Sequence, residues 1–213
     1  MNKHINKAKK LLGGAVMVLA YTSCAADVAA NIAPNCSAPL VNGFTGRAVL
    51  INWSEGITVT VSGTNERILT SITPGNKVCV IDNIAFTNPL NGSGVQSTDE
   101  NGRIQYDKNL TVQIPLRGAA VAKNIVEPLH SSALGFLVVA ERKDKSGDGS
   151  FVVFGYEQGM KAAPDGVTQN EYENGGAIVA NLITRENKEE YVLYDTDYAT
   201  TLAAFEALIA LAM

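Results

Sequence analysis

The sequence predicts a mainly β fold, a β-sandwich or barrel with one internal flanking helix and further helices at the N- and C-terminal ends. Two aromatic and β-branched runs, residues 136–140 and 151–154, flank a polar tip and predict a β-hairpin. Short segments of alternating polarity, separated by Gly, Pro, Asn and Ser, predict further strands. One internal Ala-rich stretch, residues 117–130, predicts a helix.

The two runs of the hairpin are apolar at consecutive positions, not at alternate ones. A strand that is apolar on both sides must be covered on both faces. We therefore expect this hairpin to lie at the centre of the core.

Composition allows one sizeable core, because the 213 residues are 46% hydrophobic and 18% charged. The formal net charge is −4, and no Lys/Arg-rich stripe with interleaved aromatics occurs, which argues against sequence-reading binding of nucleic acid. A mildly acidic surface would instead repel phosphates. Cys24, Cys36 and Cys79 form no CxxC pair, so structural or free thiols are favoured, with a Cys24–Cys36 bridge as the alternative.

Residues 1–34 are interpreted as a separate N-terminal segment, and residues 35–213 as a single β-rich assembly domain. The segment combines a basic start, an apolar stretch and the pair Ser23-Cys24, the layout of a secretory signal with a loose lipoprotein acceptor site. It is also rich in Ala and Leu, which favours a retained helix packed on a neighbour. The retained helix is the preferred interpretation, and the signal stays open.

The strands are expected in chain order, each bounded by turn formers. Ile57, Val59 and Val61 alternate with polar residues, as do Leu110, Val112 and Ile114, which is typical of half-buried strands. The complete set of predicted strands before the internal helix comprises residues 47–53, 57–61, 68–72, 78–84 and 110–114.

Residues 87–103 form the longest stretch without apolar periodicity and are predicted to be a long loop. One interpretation is a plain surface loop. The other is an arm that docks on a neighbouring subunit, with Leu90 and Val95 as apolar anchors and Asp99 and Arg103 as its charged contacts.

The internal helix should place Val121, Ile125 and Leu129 on one face and end near Pro128. A polar loop over residues 164–176 and two strands, residues 177–183 and 191–194, are expected to follow the central hairpin. A final helix over residues 200–213 should begin after Asp197, a plausible N-cap.

The tip of the central hairpin contains Gly147 and Gly149, and we expect one of them to have a positive φ angle. Asp144, Ser146, Asp148 and Gly149 also match the first half of a calcium loop. The twelfth position of that loop is Gly155 where a bidentate Glu is needed, so the turn is favoured and no metal is expected.

No nucleophile elbow, zinc-helix motif, Walker loop or dinucleotide fingerprint is present. The carboxylates Glu171 and Glu173 lie among Asn and Gly residues, which favours a solvated charge cluster over acid–base chemistry. We therefore predict that the protein is not an enzyme and uses no catalytic residues and no cofactor.

From residue 47 onward the chain resembles tail-tube and tail-ring proteins of tailed bacteriophages. The resemblance rests on the hairpin ending GDGSFVVFGYEQGMKA, on the unit TQNEYENGGAIVANLITREN and on the C-terminal helix. It implies a subunit that joins copies of itself into a six- or twelvefold ring around a channel, adjacent tail or neck proteins as partners, and DNA that passes without sequence recognition. The implied location is the virion tail.

Two other functions remain open from the sequence. A secreted or lipid-anchored β-sandwich processed at Cys24 would explain the N-terminal segment. A capsid-surface or fibre protein would assemble as a trimer and not as a ring.

Overall fold

Two β-sheets and two helices make up the part of the chain that the computed structural model describes, residues 43–53, 56–75, 78–81, 90–114, 118–145, 147–168 and 177–212. At residues 90, 91, 165 and 168 the backbone alone is described. The strands are β1 Phe44–Asn52, β2 Thr58–Val61, β3 Ile68–Thr73, β4 Val78–Ile81, β5 Leu90–Thr98, β6 Ile104–Ile114, β7 Phe136–Arg142, β8 Phe151–Phe154, β9 Lys161–Thr168, β10 Ile178–Glu186 and β11 Tyr191–Leu193. The mainly β sandwich expected from the sequence is confirmed.

Sheet A contains seven strands in the order β2-β3-β11-β8-β7-β1-β4. The predicted hairpin is its centre, because β7 and β8 pair antiparallel from Val138↔Phe154 to Glu141↔Phe151. Every residue of β8 is buried, as is every residue of β7 except Arg142. The expectation that both faces of the hairpin are covered is therefore confirmed.

Sheet B contains four antiparallel strands in the order β5-β6-β10-β9. β6 is a central strand of this sheet. It pairs with β10 from Ile114↔Ile178 to Tyr106↔Glu186, and with β5 along its other side. Leu110, Val112 and Ile114 are buried while the residues between them are half-buried. The apolar residues of the alternation predicted from the sequence therefore lie on the inner face of this sheet.

Two hydrophobic cores lie on opposite faces of sheet A. The first, between the sheets, contains Leu50, Val138 and Phe154 from sheet A with Leu110 and Leu182 from sheet B. The second packs the other face of sheet A against the C-terminal helix. Its larger buried members are Ile51, Leu69, Leu137, Phe151, Leu193, Phe205 and Leu208. The described residues therefore form three layers, sheet B, sheet A and a helix.

Helix α1 covers residues 119–131 in three consecutive pieces, Ala119–Val121, a π-helical turn Ala122–Val126, and Glu127–Ser131. It closes one side of the first core with Val126 and Leu129. As predicted, the helix ends near Pro128: its last residue is Ser131, and the backbone N–H of Ser132 donates to Pro128 O at 3.0 Å. The proline begins the last helical turn, where the absence of its N–H costs little, and the preceding π turn accommodates its ring.

Helix α2, Tyr198–Ala210, is the predicted C-terminal helix. The carboxylate of Asp197 accepts a hydrogen bond from the backbone N–H of Thr200 at 2.7 Å, which confirms the predicted N-cap. Phe205 and Leu208 are buried against sheet A. Phe151 packs against Phe205 with ring centroids 5.0 Å apart, so the central hairpin also anchors this helix.

The loop predicted over residues 87–103 is wrong for residues 90–98, which form strand β5 and pair with β6 along its whole length. A turn at residues 99–103 joins the two strands: Asp99 N donates to Arg103 O at 2.9 Å, and Gly102 has φ +76°. Asn101-Gly102 is a strong hairpin signal in the sequence. The stretch has no apolar periodicity that would predict a strand. Its strand conformation comes from tertiary pairing with β6.

One further prediction is partly wrong, and others concern residues that the structure does not describe. The polar loop predicted from residue 164 is wrong for residues 164–168, which belong to β9. The N-terminal segment, residues 1–34, and the carboxylates Glu171 and Glu173 lie outside the described residues.

Candidate assembly surface

The outer face of sheet B is polar and open to solvent. Because Leu110 and Leu182 point into the core, the residues that alternate with them point outward. We call this surface the polar face; it consists of Ser93, Val95, Asp107, Asn109, Thr111, Lys161, Asn181, Ile183 and Arg185. Val95 is 65% exposed and Ile183 is 40% exposed. Part of the polar face forms a shallow groove of about 870 Å³.

Charges on the polar face are few and mostly paired. Arg185 Nε donates to Asp107 Oδ1 at 2.5 Å across the β6–β10 pair. This hydrogen bond lowers the pKa of Asp107, and the carboxylate in turn raises the pKa of Arg185. Thr111 Oγ1 donates to Asn181 Oδ1 at 3.4 Å. With Lys161 as the remaining cation, the face is hydroxyl- and amide-rich and close to neutral.

The outer edge of β5 is the second notable feature. β5 lies at one end of sheet B, and no described residue pairs with its free side. Its sequence, LNGSGVQST, contains neither a charge nor a proline. Soluble proteins usually protect such an edge with Lys, Pro or a bulge, since its free N–H and C=O groups can pair with another chain.

The opposite edge of sheet B is β9, and it is irregular. Its pairing with β10 shifts register between Ala180 and Leu182, and the strand contains Pro164 and Gly166. A proline is tolerated in a strand only where its missing N–H is not needed, which fits an edge position. The two edges of the sheet thus differ: β5 is regular and β9 is interrupted.

The four residues predicted to make the inter-subunit arm lie along the β5–β6 hairpin. Leu90 begins β5, and Val95 lies on the polar face, opposite Asp107 in the register. Asp99 and Arg103 come together in the turn, where Asp99 Oδ1 accepts from the backbone N–H of Arg103 at 2.7 Å. Asp99 therefore holds the turn, a function the sequence analysis did not assign to it. The docking of these residues on a neighbour stays a prediction.

The tip of the β7–β8 hairpin forms a single helical turn, Gly147–Ser150. Gly147 has φ +72°, which confirms that one of the two tip glycines has a positive φ, whereas Gly149 does not. Ser146 lies outside the described residues. Among those that are described, no three His, Cys, Asp or Glu side chains form a group that could hold a metal ion.

A buried charged cluster was missed by the sequence analysis. Lys108 on β6 and Glu186 at the end of β10 form an ion pair, and their side chains are 2% and 0% exposed. Lys108 shares the inward face with Leu110, Val112 and Ile114, so extending that alternation by one step would have placed it in the interior. Burial raises the pKa of Glu186, an effect that the nearby Lys108 opposes.

Aromatic and acidic side chains complete this cluster. Lys108 Nζ lies 5.3 Å from the centroid of the Tyr191 ring, and the hydroxyl of Tyr191 donates to Glu157. Burial, and then the Glu157 carboxylate that accepts this hydrogen bond, raises the pKa of Tyr191. The other oxygen of Glu157 accepts from the Asn187 backbone N–H at 2.9 Å.

Cys79 on β4 is half-buried at the edge of the first core, and burial raises the pKa of its thiol. This agrees with a small packing residue better than with a reactive thiolate. In the part of the chain that the structure describes, no helix is long and apolar enough to cross a membrane.

Comparison with known proteins returned no match: no protein family, no curated protein and no solved structure is similar to this chain.

Proposed function

We propose that this chain is a virion structural protein, a subunit of the tail tube or of a tail or neck ring of a tailed bacteriophage. Copies of it join into a six- or twelvefold ring around a channel through which DNA passes, next to other tail or neck proteins. The observation that carries the proposal is the regular, uncharged edge of β5 at one side of a sheet whose outer face is polar and open.

The β5 edge supports self-association because its backbone groups need partners. A strand of nine residues without charge or proline is a template for pairing with another chain. If β5 of one copy pairs with the opposite edge of sheet B in the next copy, the contact joins two different surfaces. Because each copy offers both surfaces, the same contact repeats from copy to copy. The copies form a closed ring when the rotations between neighbours add up to one full turn.

The polar face supports the role of a channel wall. Joining copies of sheet B edge to edge would make one continuous sheet, with the polar face on one side and the sandwich core on the other. Duplex DNA binds proteins mainly through Lys and Arg contacts to phosphates. The polar face offers Lys161 and the Asp107-paired Arg185 and is otherwise uncharged, so DNA would slide along it without being held.

The proposal is tested by the mass of the native assembly and by a variant that protects the β5 edge. The full chain should assemble into six- or twelvefold rings. Val95→Lys places a charge in the edge strand, a common natural protection against pairing. We expect this variant to be folded but to yield single subunits in native mass spectrometry. The new Lys would lie opposite Asp107, so the sheet itself should accept it.

Val61→Lys is the matched control, because Val61 is also an exposed valine in an edge strand but belongs to β2 of sheet A. Its rings should remain intact. Rings that survive Val95→Lys would contradict assembly through β5. A wild-type trimer would favour a capsid-surface or fibre protein, and a mature chain beginning at an acylated Cys24 would favour a lipid-anchored β-sandwich.

A further inference from the structure

Lys108 and Glu186 lie in direct contact in the interior, where the end of sheet B meets β11 of sheet A. Lys108 is paired with Thr184 in the register of β6 and β10, so Glu186 lies two residues further along the neighbouring strand on the same inward face. This diagonal position brings Lys108 Nζ against Glu186 Oε2. Both residues are almost fully buried.

Lys108 and Glu186 have few other polar partners in the described part of the interior. An ammonium group has three N–H donors, yet apart from each other neither Lys108 Nζ nor Glu186 Oε2 has a hydrogen-bond partner among the described residues. The face of the Tyr191 ring covers the amine at 5.3 Å. Desolvation of two opposite charges in such a site can cost more free energy than their attraction returns.

We propose that Lys108 Nζ and Glu186 Cδ become joined by an intramolecular amide bond. The two groups have the contact, the burial and the opposite chemical character that condensation of an amine with a carboxyl group requires. The product is uncharged and has one N–H and one C=O in place of an ammonium and a carboxylate, so it leaves fewer buried polar groups without partners.

The reaction needs no other reactant. Proton transfer from the ammonium to the carboxylate gives a free amine and a neutral carboxyl group, the form that burial of Glu186 favours. The lone pair of Nζ then attacks Cδ, and the N–C bond forms as the carbonyl electron pair moves onto Oε1. A proton passes from Nζ to the adjacent Oε2. The electron pair on Oε1 re-forms the carbonyl as the Cδ–Oε2 bond breaks and water leaves, which gives the neutral amide.

Two features of the site assist these steps. The backbone N–H of Glu157 donates to Oε1 at 3.4 Å, so it faces the oxygen on which negative charge develops. Tyr191, held by Glu157, acts as a positioning residue that covers the amine.

The test uses the denatured full chain, because an ion pair is lost on unfolding whereas an amide bond persists. Peptide mass spectrometry after trypsin digestion should show no cleavage after Lys108. The peptide of residues 104–117 should instead be joined to residues 186–188, with a total mass about 18 Da below the sum of the two, the mass of one water molecule.

Lys108→Met removes the nucleophile but keeps an unbranched apolar stem, and it should abolish the joined peptide. Lys161→Met, which removes an exposed lysine of the neighbouring β9, should retain it. The proposal is overturned if wild-type protein yields residues 104–108 and 186–188 as separate peptides. It is equally overturned if the water loss maps to residues other than Lys108 and Glu186. Because the wild-type digest alone decides, the test does not depend on whether Lys108→Met folds.

Discussion

Three glycines in and beside the β7–β8 hairpin differ in two properties, the φ angle of the backbone and the space available for a Cβ atom. Substitutions at these positions can therefore distinguish the cost of backbone strain from the cost of a steric clash. Gly149 does not have a positive φ, and a Cβ there would lie 3.6 Å from Arg142 Nη1, an ordinary contact. Gly147 has φ +72° but no atom within 4 Å of a Cβ. Gly155 has φ +78°, and its Cβ would meet Phe136 O at 2.5 Å and Met160 N at 2.7 Å. The three positions therefore form a graded series.

Substituting each glycine with Ala should reproduce this order in the free energy of unfolding. Gly149→Ala should change it by less than about 1 kcal/mol. Gly147→Ala should lower it by about 1 kcal/mol, the cost of a left-handed backbone for an L residue. Gly155→Ala should lower it by about 3 kcal/mol or more, because rigid backbone atoms occupy the space.

Urea unfolding of the three variants, followed by circular dichroism, gives these values. Gly149→Ala is the internal control, since it adds the same methyl group to the same hairpin tip as Gly147→Ala. Equal losses at Gly147 and Gly149 would show that φ is not what the tip requires.

At the scale of single elements, the Asp197 cap makes the stability of α2 depend on pH. The backbone N–H of Thr200, and then its hydroxyl, lowers the pKa of Asp197 below its ordinary value of 3.8. A carboxyl whose pKa is lower in the folded state stabilises that state above its unfolded pKa, and the effect is lost as the pH falls through the folded value.

Asp197→Ala should therefore lower the melting temperature at pH 7, and the difference from wild type should shrink as the pH falls below about 4. Asp197→Asn keeps the capping oxygen without the charge, so it should recover most of the loss at pH 7. Calorimetry between pH 2 and 7 measures the melting temperatures of both variants and of wild type. An Ala variant that melts like wild type at pH 7 would contradict the assignment.

The sequence predicted those elements whose pattern depends on their own residues. β6 follows the alternation of Leu110, Val112 and Ile114, and α2 follows its apolar stripe and cap. The sequence did not predict β5, because its strand conformation depends on contacts with other elements. Gly92 is an example, since a Cβ at this position would lie 2.9 Å from Phe154 Cζ in the opposite sheet. Contacts between residues that are distant in sequence cannot be predicted from a local sequence pattern.

The candidate surface was predictable only in part for the same reason. Val95 was singled out, and it lies exposed on the polar face. Asp99 was assigned to an arm but forms the hairpin turn, which the Asn101-Gly102 pair in the sequence signals. The contact of Lys108 with Glu186 joins residues 78 positions apart, and the sheet order that creates it cannot be read from either strand alone.

At the scale of the whole molecule, the three layers give the two outer surfaces different characters. Glu141 is buried in sheet A, accepts from Thr45 Oγ1 at 2.9 Å and pairs with Arg47. Arg47 also reaches Glu206 and lies 5.4 Å from the centroid of the Phe205 ring, both on α2. These contacts fix the helix on one side of sheet A and leave the polar face of sheet B as the open sheet surface.

If the polar face lines a channel, adding positive charge to it should create affinity for DNA. Thr111 and Asn181 lie side by side on this face, joined by one hydrogen bond. The double variant Thr111→Lys/Asn181→Lys places two cations per subunit on the channel wall. Because each phosphate contact releases counterions, the affinity of assembled rings for duplex DNA should rise by about tenfold or more at low salt and fall more steeply with salt than that of wild type.

Fluorescence anisotropy with labelled duplex DNA at several salt concentrations measures this difference. Thr58→Lys/Thr60→Lys is the matched control, because both threonines are exposed on β2 of sheet A, away from the polar face. It adds the same charge to each ring, so a general electrostatic effect would raise the affinity of both variants equally. Equal affinities, or no gain for the polar-face variant in intact rings, would mean that DNA does not meet this face. The proposal that the polar face lines a channel for DNA would then be wrong.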